Sequence, residues 1–367
     1  MAKDLNRNQQ LIVNMSASIV AYGVSLFISF FLSPYIVLTI GVEANGFVSL
    51  ANNFVSYANL ITLALNSLAG RYITISVING NKKRTDTLFS SVFFANLIIA
   101  SVLAAVGVFV IVFLERLINV PTALIADVKL LFACLFLNCL VSIIGSVFSV
   151  ATFARNKLYL ESLRNIEANL ARALVIIGLF ALCDPKVSYV GLGSLISGVY
   201  VLFCNFHYTQ TLLPEVRIKR RSFEWRTVWE LIRSGVWNTI TRLGQLLLDG
   251  LDLLITNLFI DSTAMGIMSL SKTVPSLISG ILSSIVGVFS PDFTILYAQN
   301  NKEELLNSIH RSMKIMGAFI NVPIVILIVC GEEFFRLWQP TQDAQLLQQL
   351  FILNIGCLIF SGGINCL

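Results

Sequence analysis

The chain has 367 residues, of which 56% are hydrophobic and only 12% are charged, with a formal net charge of +5 at pH 7. Soluble proteins carry about 25% charged residues, so this composition excludes an ordinary soluble enzyme. The Lys and Arg residues lie in short segments between long apolar blocks, without the basic groove and interleaved aromatic residues of a nucleic-acid-binding protein.

The apolar blocks are long enough to cross a membrane as helices, which takes about 20 residues each. The first block follows the polar segment MAKDLNRNQQ and is too long for the core of a signal peptide, so we expect it to remain as the first span. The predicted spans are residues 11–37, 46–78, 86–114, 123–153, 159–182, 187–210, 226–258, 264–297, 305–330 and 344–367. The sequence therefore predicts an all-α integral membrane protein with about ten transmembrane helices.

The loops between these spans alternate in charge. The N-terminal segment and the even-numbered loops hold most of the cations, among them KKR at 82–84 and RIKRR at 217–221. The odd-numbered loops hold only Arg116, Lys186 and Arg336. Because cytoplasmic loops of membrane proteins are enriched in Lys and Arg, we predict a cytoplasmic N-terminus.

The sequence also repeats itself. A shift of 220 residues aligns the chain with itself without a gap, and residues 11–82 then show 15 identities in 72 positions. The matches include loop residues: Gly46 meets Gly266, and the Asn-Lys pair at 81–82 meets the pair at 301–302. Composition alone would give about six identities and would not align loop residues, so we infer an internal duplication.

Each copy of the repeat contains six spans in this interpretation. Since six is even, both copies enter the membrane from the same side, and a parallel repeat of this kind has its axis along the membrane normal. We predict an N-terminal six-helix lobe at 1–220 and a C-terminal lobe at 221–367 that contains only its first four helices. The second bundle is therefore truncated, and we expect the natural protein to continue for two more helices, to about 440 residues.

Polar residues inside the spans are the candidates for a transport pathway, because an ionisable side chain there is costly unless it faces protein or water. The seventh span carries Arg242, Gln245, Asp249 and Asp252, which helical geometry places on a single stripe. This stripe predicts either the wall of a cavity or an ion pair within the lobe that only fixes packing.

Three further spans carry candidates of the same kind. The eighth span presents Lys272 on a face with three serines, and its repeat partner, the second span, presents Asn52 and ends near Arg71. The fifth span carries Arg172 well beyond its polar first turns. These residues either line a cleft between the lobes or, for the small polar ones, serve helix packing.

The sequence contains no recognisable catalytic or metal-binding pattern. His207 and His310, its two histidines, have no ligand spacing, and the seven cysteines fall in no disulfide or metal framework, so we interpret them as small hydrophobic residues. No phosphate-binding loop and no Ser-His-Asp arrangement is present. We therefore expect a protein that is not an enzyme, uses no cofactor, and transports by a gradient or by the membrane potential.

Several of these features together resemble a known family. They are the polar N-terminal segment, a first span with Asn14 and Ser18, the outside turn IGVEANGFVSL at 40–50, and a polar second span that ends near NGNKKR. This pattern resembles the bacterial polysaccharide flippases of the multidrug/oligosaccharidyl-lipid/polysaccharide (MOP) exporter superfamily. The resemblance implies two six-helix bundles with the fold of the multidrug and toxin extrusion (MATE) transporters, located in the bacterial inner membrane.

The resemblance also implies a cargo, a polyprenyl-pyrophosphate-linked oligosaccharide that passes from the cytoplasmic to the outer leaflet by alternating access. Its partners would be this lipid-linked diphosphate, membrane lipids and the polysaccharide polymerase machinery. A cationic cavity suits such a head group, because Arg and Lys hydrogen-bond phosphate oxygens. The predicted substrate-binding residues are Arg242, Lys272, Arg71, Arg172, Asn52 and Gln245.

Two other functions stay open at the level of sequence. A cation-coupled multidrug exporter of the same superfamily would use Asp249 and Asp252 as coupling carboxylates. A membrane glycosyltransferase or polymerase acting on lipid-linked sugars would need catalytic groups in a large outside loop, whereas the outside loops here are short.

Overall fold

The computed structural model describes residues 7–298 and 302–361, apart from the side chains of 283–298 and of isolated positions that include Asp249. All regular structure in these residues is helical. The α-helices are α1 Arg7–Ile40, α2 Val42–Ile78, α3 Lys82–Val112, α4 Leu114–Leu117, α5 Ile125–Gly145, α6 Val150–Ala154, α7 Leu158–Leu182, α8 Ser188–Leu212, α9 Trp225–Phe259, α10 Ser262–Ala298, α11 Lys302–Val329, α12 Gly331–Trp338 and α13 Ala344–Ser361. The all-α fold is thus confirmed.

Ten of these helices correspond to the ten predicted spans. Eight helical segments in the described part of the chain are long and apolar enough to cross a membrane, and they fall in α1–α3, α5–α8, α10 and α11. The two predicted spans outside this set are α9, which carries the polar stripe, and α13, whose C-terminal end borders on residues outside the description.

The predicted fourth span is a broken helix rather than a continuous one. A turn of 3-10 helix at Ser146–Ser149 separates α5 from α6. Side-chain hydroxyl groups accompany the break, since Ser146 Oγ donates to the carbonyl of Ile143 and Ser149 Oγ donates to the carbonyl of Ser146, both at 2.9 Å. Such local bonds compete with the regular ladder of backbone hydrogen bonds, and hydropathy does not register them.

The bounds of the helices follow the sequence repeat. Subtracting 220 from the bounds of α10 gives 42 and 78, which are the bounds of α2. The short helix α12 follows α11 as α4 follows α3. The duplication inferred from 15 identities therefore extends to the secondary structure.

Repeat-related residues also touch each other at the first turns of α2 and α10. Thr263 Oγ1 donates a hydrogen bond of 2.6 Å to Glu43 Oε1, and these residues are 220 positions apart. A Cβ atom on Gly46 would lie 2.8 Å from the Cα atom of Gly266, its own repeat partner, so only glycine permits this contact. Two pairs of repeat-related residues therefore meet within one compact part of the molecule.

The contacts divide the chain into two compact units. Residues up to Leu32 together with Phe47–Ser262 form the first unit, and Ser33–Gly46 together with the residues from Thr263 onward form the second. Helix α9, the first helix of the second sequence repeat, belongs to the first unit. The assignment of lobes to 1–220 and 221–367 rests on the repeat and stays a prediction.

The core of the first unit lies where α2, α3, α9 and the turn after α5 meet. Leu65, Phe89 and Leu231 are fully buried there with their apolar neighbours. Asn96 is fully buried as well, and its side-chain amide donates to Asn66 Oδ1 and Ser146 Oγ, both at 3.0 Å. These bonds satisfy a polar group that would otherwise be costly in an apolar interior.

The start of α1 is fixed to the turn between α6 and α7 by Asn14. Its Nδ2 atom donates to the carbonyl oxygen and to Oδ1 of Asn156, each at 2.9 Å, and its Oδ1 atom accepts from the backbone N–H of Tyr159 at 3.1 Å. Asn156 has φ of +54°, a left-handed conformation that Asn tolerates better than most residues. One buried side chain thus satisfies the polar groups of a tight turn.

We expect Asn14→Ala to lower the free energy of unfolding by about 2 kcal/mol, because it leaves Asn156 Oδ1 and the backbone N–H of Tyr159 without their partner, while the carbonyl of Asn156 keeps its bond from Gln10. Thermal unfolding of the purified protein in detergent measures this change. The matched control is Gln10→Ala, which removes one 2.9 Å bond to the carbonyl of Asn156 at a more exposed position and should cost less than about 1 kcal/mol. Equal costs for the two variants would contradict this role of Asn14.

Candidate functional site

The polar stripe of α9 is partly described. Arg242 Nη1 donates to Gln245 Oε1 at 3.0 Å, and both side chains are exposed. Asp252, two turns further along, is half-buried and acts electrostatically on the hydroxyl group of Tyr57 in α2. The side chain of Asp249 lies outside the described residues.

The other predicted residues are distributed over both units. Asn52 is exposed on α2, where its amide donates to the carbonyl of Val48 at 2.9 Å, and Arg71 is exposed nearer the end of the same helix. Lys272 is half-buried on α10 in the second unit. Asn52 and Lys272 are 220 positions apart, so they occupy equivalent places in the two repeats.

Arg172 differs from the other candidates in its surroundings. It lies near the middle of α7, and its Nε atom is buried without a hydrogen-bond partner among the described residues. An Arg N–H group inside an apolar bundle is costly when it is unpaired. Arg172 therefore has an unused donor in the interior of the first unit.

A polar cavity of about 410 Å³ lies between α5, α7 and α8, all of which belong to the first unit. Its volume is within the range of small-molecule sites, about 300–1,000 Å³. Most of its lining is polar. The polar lining residues are Asn138, Ser142, Ser146, Ser149, Glu161, Asn165, Asn169, Ser197 and Asn205.

Several residues of the cavity lining carry hydrogen-bond acceptors. The Oδ1 atoms of Asn138 and Asn205 are buried and have no partner among the described residues. Glu161 contributes a carboxylate, one oxygen of which accepts from Thr152 Oγ1 at 3.3 Å. An unpaired buried acceptor is costly in an apolar surrounding, so these two amide groups mark this part of the first unit as polar.

Arg172 lies on the same face of α7 as this cavity. Glu161, Asn165 and Ala168 line the cavity, and the spacings of 4, 3 and 4 residues from Glu161 to Arg172 keep all four residues on one side of the helix. The Arg172 position is one turn beyond Ala168. The first unit thus places a cation beside a polar cavity.

The sequence-based prediction missed most of this cavity. It named Arg172 but not Asn138, Ser197 or Asn205, because it treated polar residues mainly as features of single spans. A sequence signal does exist. Asn138 and Ser142 in α5 and Ser146 just after it are four residues apart, and Ser197 and Asn205 in α8 are separated by two such steps. Rows of polar residues at this spacing on neighbouring spans indicate a shared polar interior.

Within the described part of the chain, no group of three or more His, Cys, Asp or Glu side chains has the arrangement of a metal site. The side chains that line the cavity or lie beside it offer amide, hydroxyl, carboxylate and guanidinium groups, which form hydrogen bonds and charge pairs.

Known proteins resemble this chain both in sequence and in structure. The uncharacterized membrane protein EpsK of Bacillus subtilis is 29% identical over 349 residues, which are 95% of this chain and 69% of that protein. An inward-facing MATE-family multidrug resistance transporter of the MOP superfamily is 14% identical with a TM-score of 0.65, over 96% of this chain and 84% of that chain. A variant of the MATE transporter VcmN of Vibrio cholerae is 11% identical with a TM-score of 0.65, over 98% of this chain and 84% of that chain.

The structural similarities show the fold of the chain, and a match between its sequence and a protein-family model shows the family. The model for the family described as "Polysaccharide biosynthesis protein" matches residues 11–296, more than three quarters of the chain. The match confirms the family that the sequence resembles. The chain therefore belongs to the polysaccharide biosynthesis family of membrane proteins, and its fold is the one shared by the MATE transporters of the MOP superfamily.

Proposed function

We propose that this protein moves a polyprenyl-pyrophosphate-linked oligosaccharide from the cytoplasmic to the outer leaflet of the bacterial inner membrane. The observation that carries the proposal is the family match over residues 11–296 on a chain with a MATE-like fold. A polysaccharide biosynthesis protein with the fold of a transporter fits the step at which a hydrophilic precursor must cross the membrane. No covalent chemistry is needed for this step.

The polar residues of the spans support this cargo. The diphosphate requires cations, for which we propose Arg242 and Lys272, with Arg71, Arg172, Asn52 and Gln245 as further contacts. The sugar part requires a hydrated interior, and the acceptor-rich cavity beside Arg172 provides polar surface inside the first unit. The polyprenyl chain would stay in the bilayer while the lobes at 1–220 and 221–367 alternate their exposure.

The proposal includes an orientation and a further partner. The N-terminus and the KKR and RIKRR segments would face the cytoplasm, as the positive-inside rule expects. The released lipid-linked sugar would pass to the polysaccharide polymerase machinery on the outer face.

A second candidate function is cation-coupled multidrug export. The half-buried carboxylate of Asp252 and the similarity to multidrug MATE transporters favour it. The two functions differ in the sign of the charges that bind the cargo: a diphosphate needs Arg and Lys, whereas organic cations need Asp.

Deletion of the gene in its source organism tests the proposal. We expect loss of surface polysaccharide together with accumulation of the lipid-linked precursor in the cytoplasmic leaflet, and rescue when the gene is restored. Susceptibility to cationic dyes should not change. A deletion strain with normal surface polysaccharide and increased dye sensitivity would contradict flipping and favour drug export.

A further inference from the structure

Residues 213–224, which join α8 to α9, pack against the side of α3. We call this segment the basic linker. Three buried side chains of α3 accept hydrogen bonds from its backbone: Asp86 from Arg217, Ser90 from Lys219 and Ser91 from Glu224, at 3.0–3.1 Å. These bonds fix the backbone of the linker and therefore the positions from which its side chains extend.

An aromatic contact and a tight turn complete the docking. The ring of Phe223 packs edge-on against Phe94 of α3, with 6.3 Å between the ring centroids. The backbone N–H groups of Ser222 and Phe223 donate to the carbonyls of Lys219 and Arg220. This turn of 3-10 helix presents Arg220 and Arg221 side by side at the surface.

The docked linker carries a dense positive charge. Residues 82–86 and 215–230 contain eight cations against four acids. Two of the acids form ion pairs with nearby cations: Glu230 pairs with Arg84 at 2.9 Å, and Glu215 pairs with Arg155 at 3.6 Å. The exposed cations that form no ion pair within the described residues are Lys82, Lys83, Arg217, Lys219, Arg220, Arg221 and Arg226.

Two tryptophans adjoin this charge at the start of α9. Trp225 and Trp229 are 61% and 64% exposed, and their spacing of four residues places them on one side of the helix. Exposed Trp at the end of a membrane-spanning segment is typical of the level of the lipid headgroups, where the ring is buried and the N–H group is hydrated. Cations that adjoin tryptophans at this level would lie beside the lipid phosphates.

We propose that the basic linker, together with Lys82, Lys83, Trp225 and Trp229, is a binding surface for anionic phospholipid. Charge complementarity identifies the occupant, because clustered cations at the level of the headgroups attract acidic lipids. Each cation adds to the binding free energy of the lipid, and this binding does not require the cargo. Docking onto α3 lowers the entropic cost of binding, because the cations are already positioned. The bound lipid would hold the connection between the two sequence repeats at the membrane surface.

The test is native mass spectrometry of the purified chain in detergent, titrated with palmitoyl-oleoyl-phosphatidylglycerol and separately with the corresponding phosphatidylcholine. We expect tighter binding of phosphatidylglycerol. Neutralising two cations with Arg220→Gln and Arg221→Gln should weaken its binding about 30-fold and leave phosphatidylcholine binding unchanged. The conservative pair Arg220→Lys and Arg221→Lys should retain most of the preference.

The matched control removes the same charge elsewhere. Arg311 and Lys314 are exposed cations of α11, and Arg311→Gln with Lys314→Gln should change phosphatidylglycerol binding by less than about twofold. Equal weakening by both double variants would overturn the proposal in favour of a net-charge effect. A wild-type chain that binds the two lipids equally would overturn it as well.

A second measurement locates the lipid through tryptophan fluorescence. The protein is placed in nanodiscs in which only the phosphatidylglycerol carries bromine, which quenches tryptophan fluorescence. The quenching should exceed the value expected from the fraction of phosphatidylglycerol among the nanodisc lipids. Trp225→Phe with Trp229→Phe should remove this excess, and Arg220→Gln with Arg221→Gln should reduce it. Excess quenching that persists without these two tryptophans would place the anionic lipid elsewhere and contradict the proposed surface.

Discussion

Replacing Gly235 with alanine is expected to force α9 away from α2 and to lower the free energy of unfolding by about 3 kcal/mol. A Cβ atom at this position would lie 1.9 Å from the carbonyl oxygen of Ala64 and 2.7 Å from Ser67 Oγ. The carbonyl belongs to the backbone of α2 and cannot rotate away as a side chain could. Relief therefore requires one helix to move, and the fully buried Leu231, one turn away on α9, would lose packing with it.

Gly244 in the same helix is the matched control. A Cβ atom there meets nothing within 4 Å, so Gly244→Ala should leave stability unchanged or raise it by up to about 1 kcal/mol through helix propensity. Thermal unfolding of both purified variants in detergent compares them directly. A Gly235→Ala protein as stable as Gly244→Ala would show that α9 does not approach α2 so closely.

Arg242→Ala and Lys272→Ala are each expected to reduce transport of the lipid-linked oligosaccharide at least tenfold, if the proposed function holds. A hydrogen bond to a charged group contributes about 1.5–3 kcal/mol, which corresponds to a factor of about 10–100 in binding. The readout is restoration of surface polysaccharide in the deletion strain at equal membrane abundance. Arg242→Lys and Lys272→Arg keep the charge and should restore more than the alanine variants.

Asp252→Asn separates the two candidate functions in the same assay. It removes a carboxylate without changing size, so a phosphate-binding site should still restore surface polysaccharide. An exporter of organic cations would instead lose its activity with Asp252→Asn and tolerate Arg242→Ala. Full rescue by both alanine variants would contradict the proposed cationic site, while the family assignment would stand on the match over residues 11–296.

The sequence predicts the helices well because the signals for them are local. Apolar length and loop charge give spans such as 159–182, and the corresponding helix is Leu158–Leu182. The shift of 220 residues predicts that α10 repeats α2, and the helix bounds agree residue for residue. Where the prediction differs, as in the break after Gly145, the cause is hydrogen bonding by serine hydroxyls, to which hydropathy is insensitive.

The candidate site, unlike the helices, is predicted poorly from the sequence. Arg172 is recognisable in the sequence as a cation deep in a span, but the cavity beside it joins α5, α7 and α8 through residues as far apart as Asn138 and Asn205. Its acceptor-rich interior depends on which faces of three helices turn toward one another. The sequence of a single span does not show which face of a neighbouring helix it packs against.

Span length, repeat spacing and loop charge can be read along the chain, so the amino-acid sequence alone predicts a helical membrane protein with an internal duplication and clustered basic loops. Three further features appear only in the folded chain: α9 packs on α2 at Gly235, the basic linker docks on Asp86, Ser90 and Ser91, and a polar cavity opens beside Arg172. These features depend on how closely and at which faces helices meet, and that is set by packing among residues distant in the sequence.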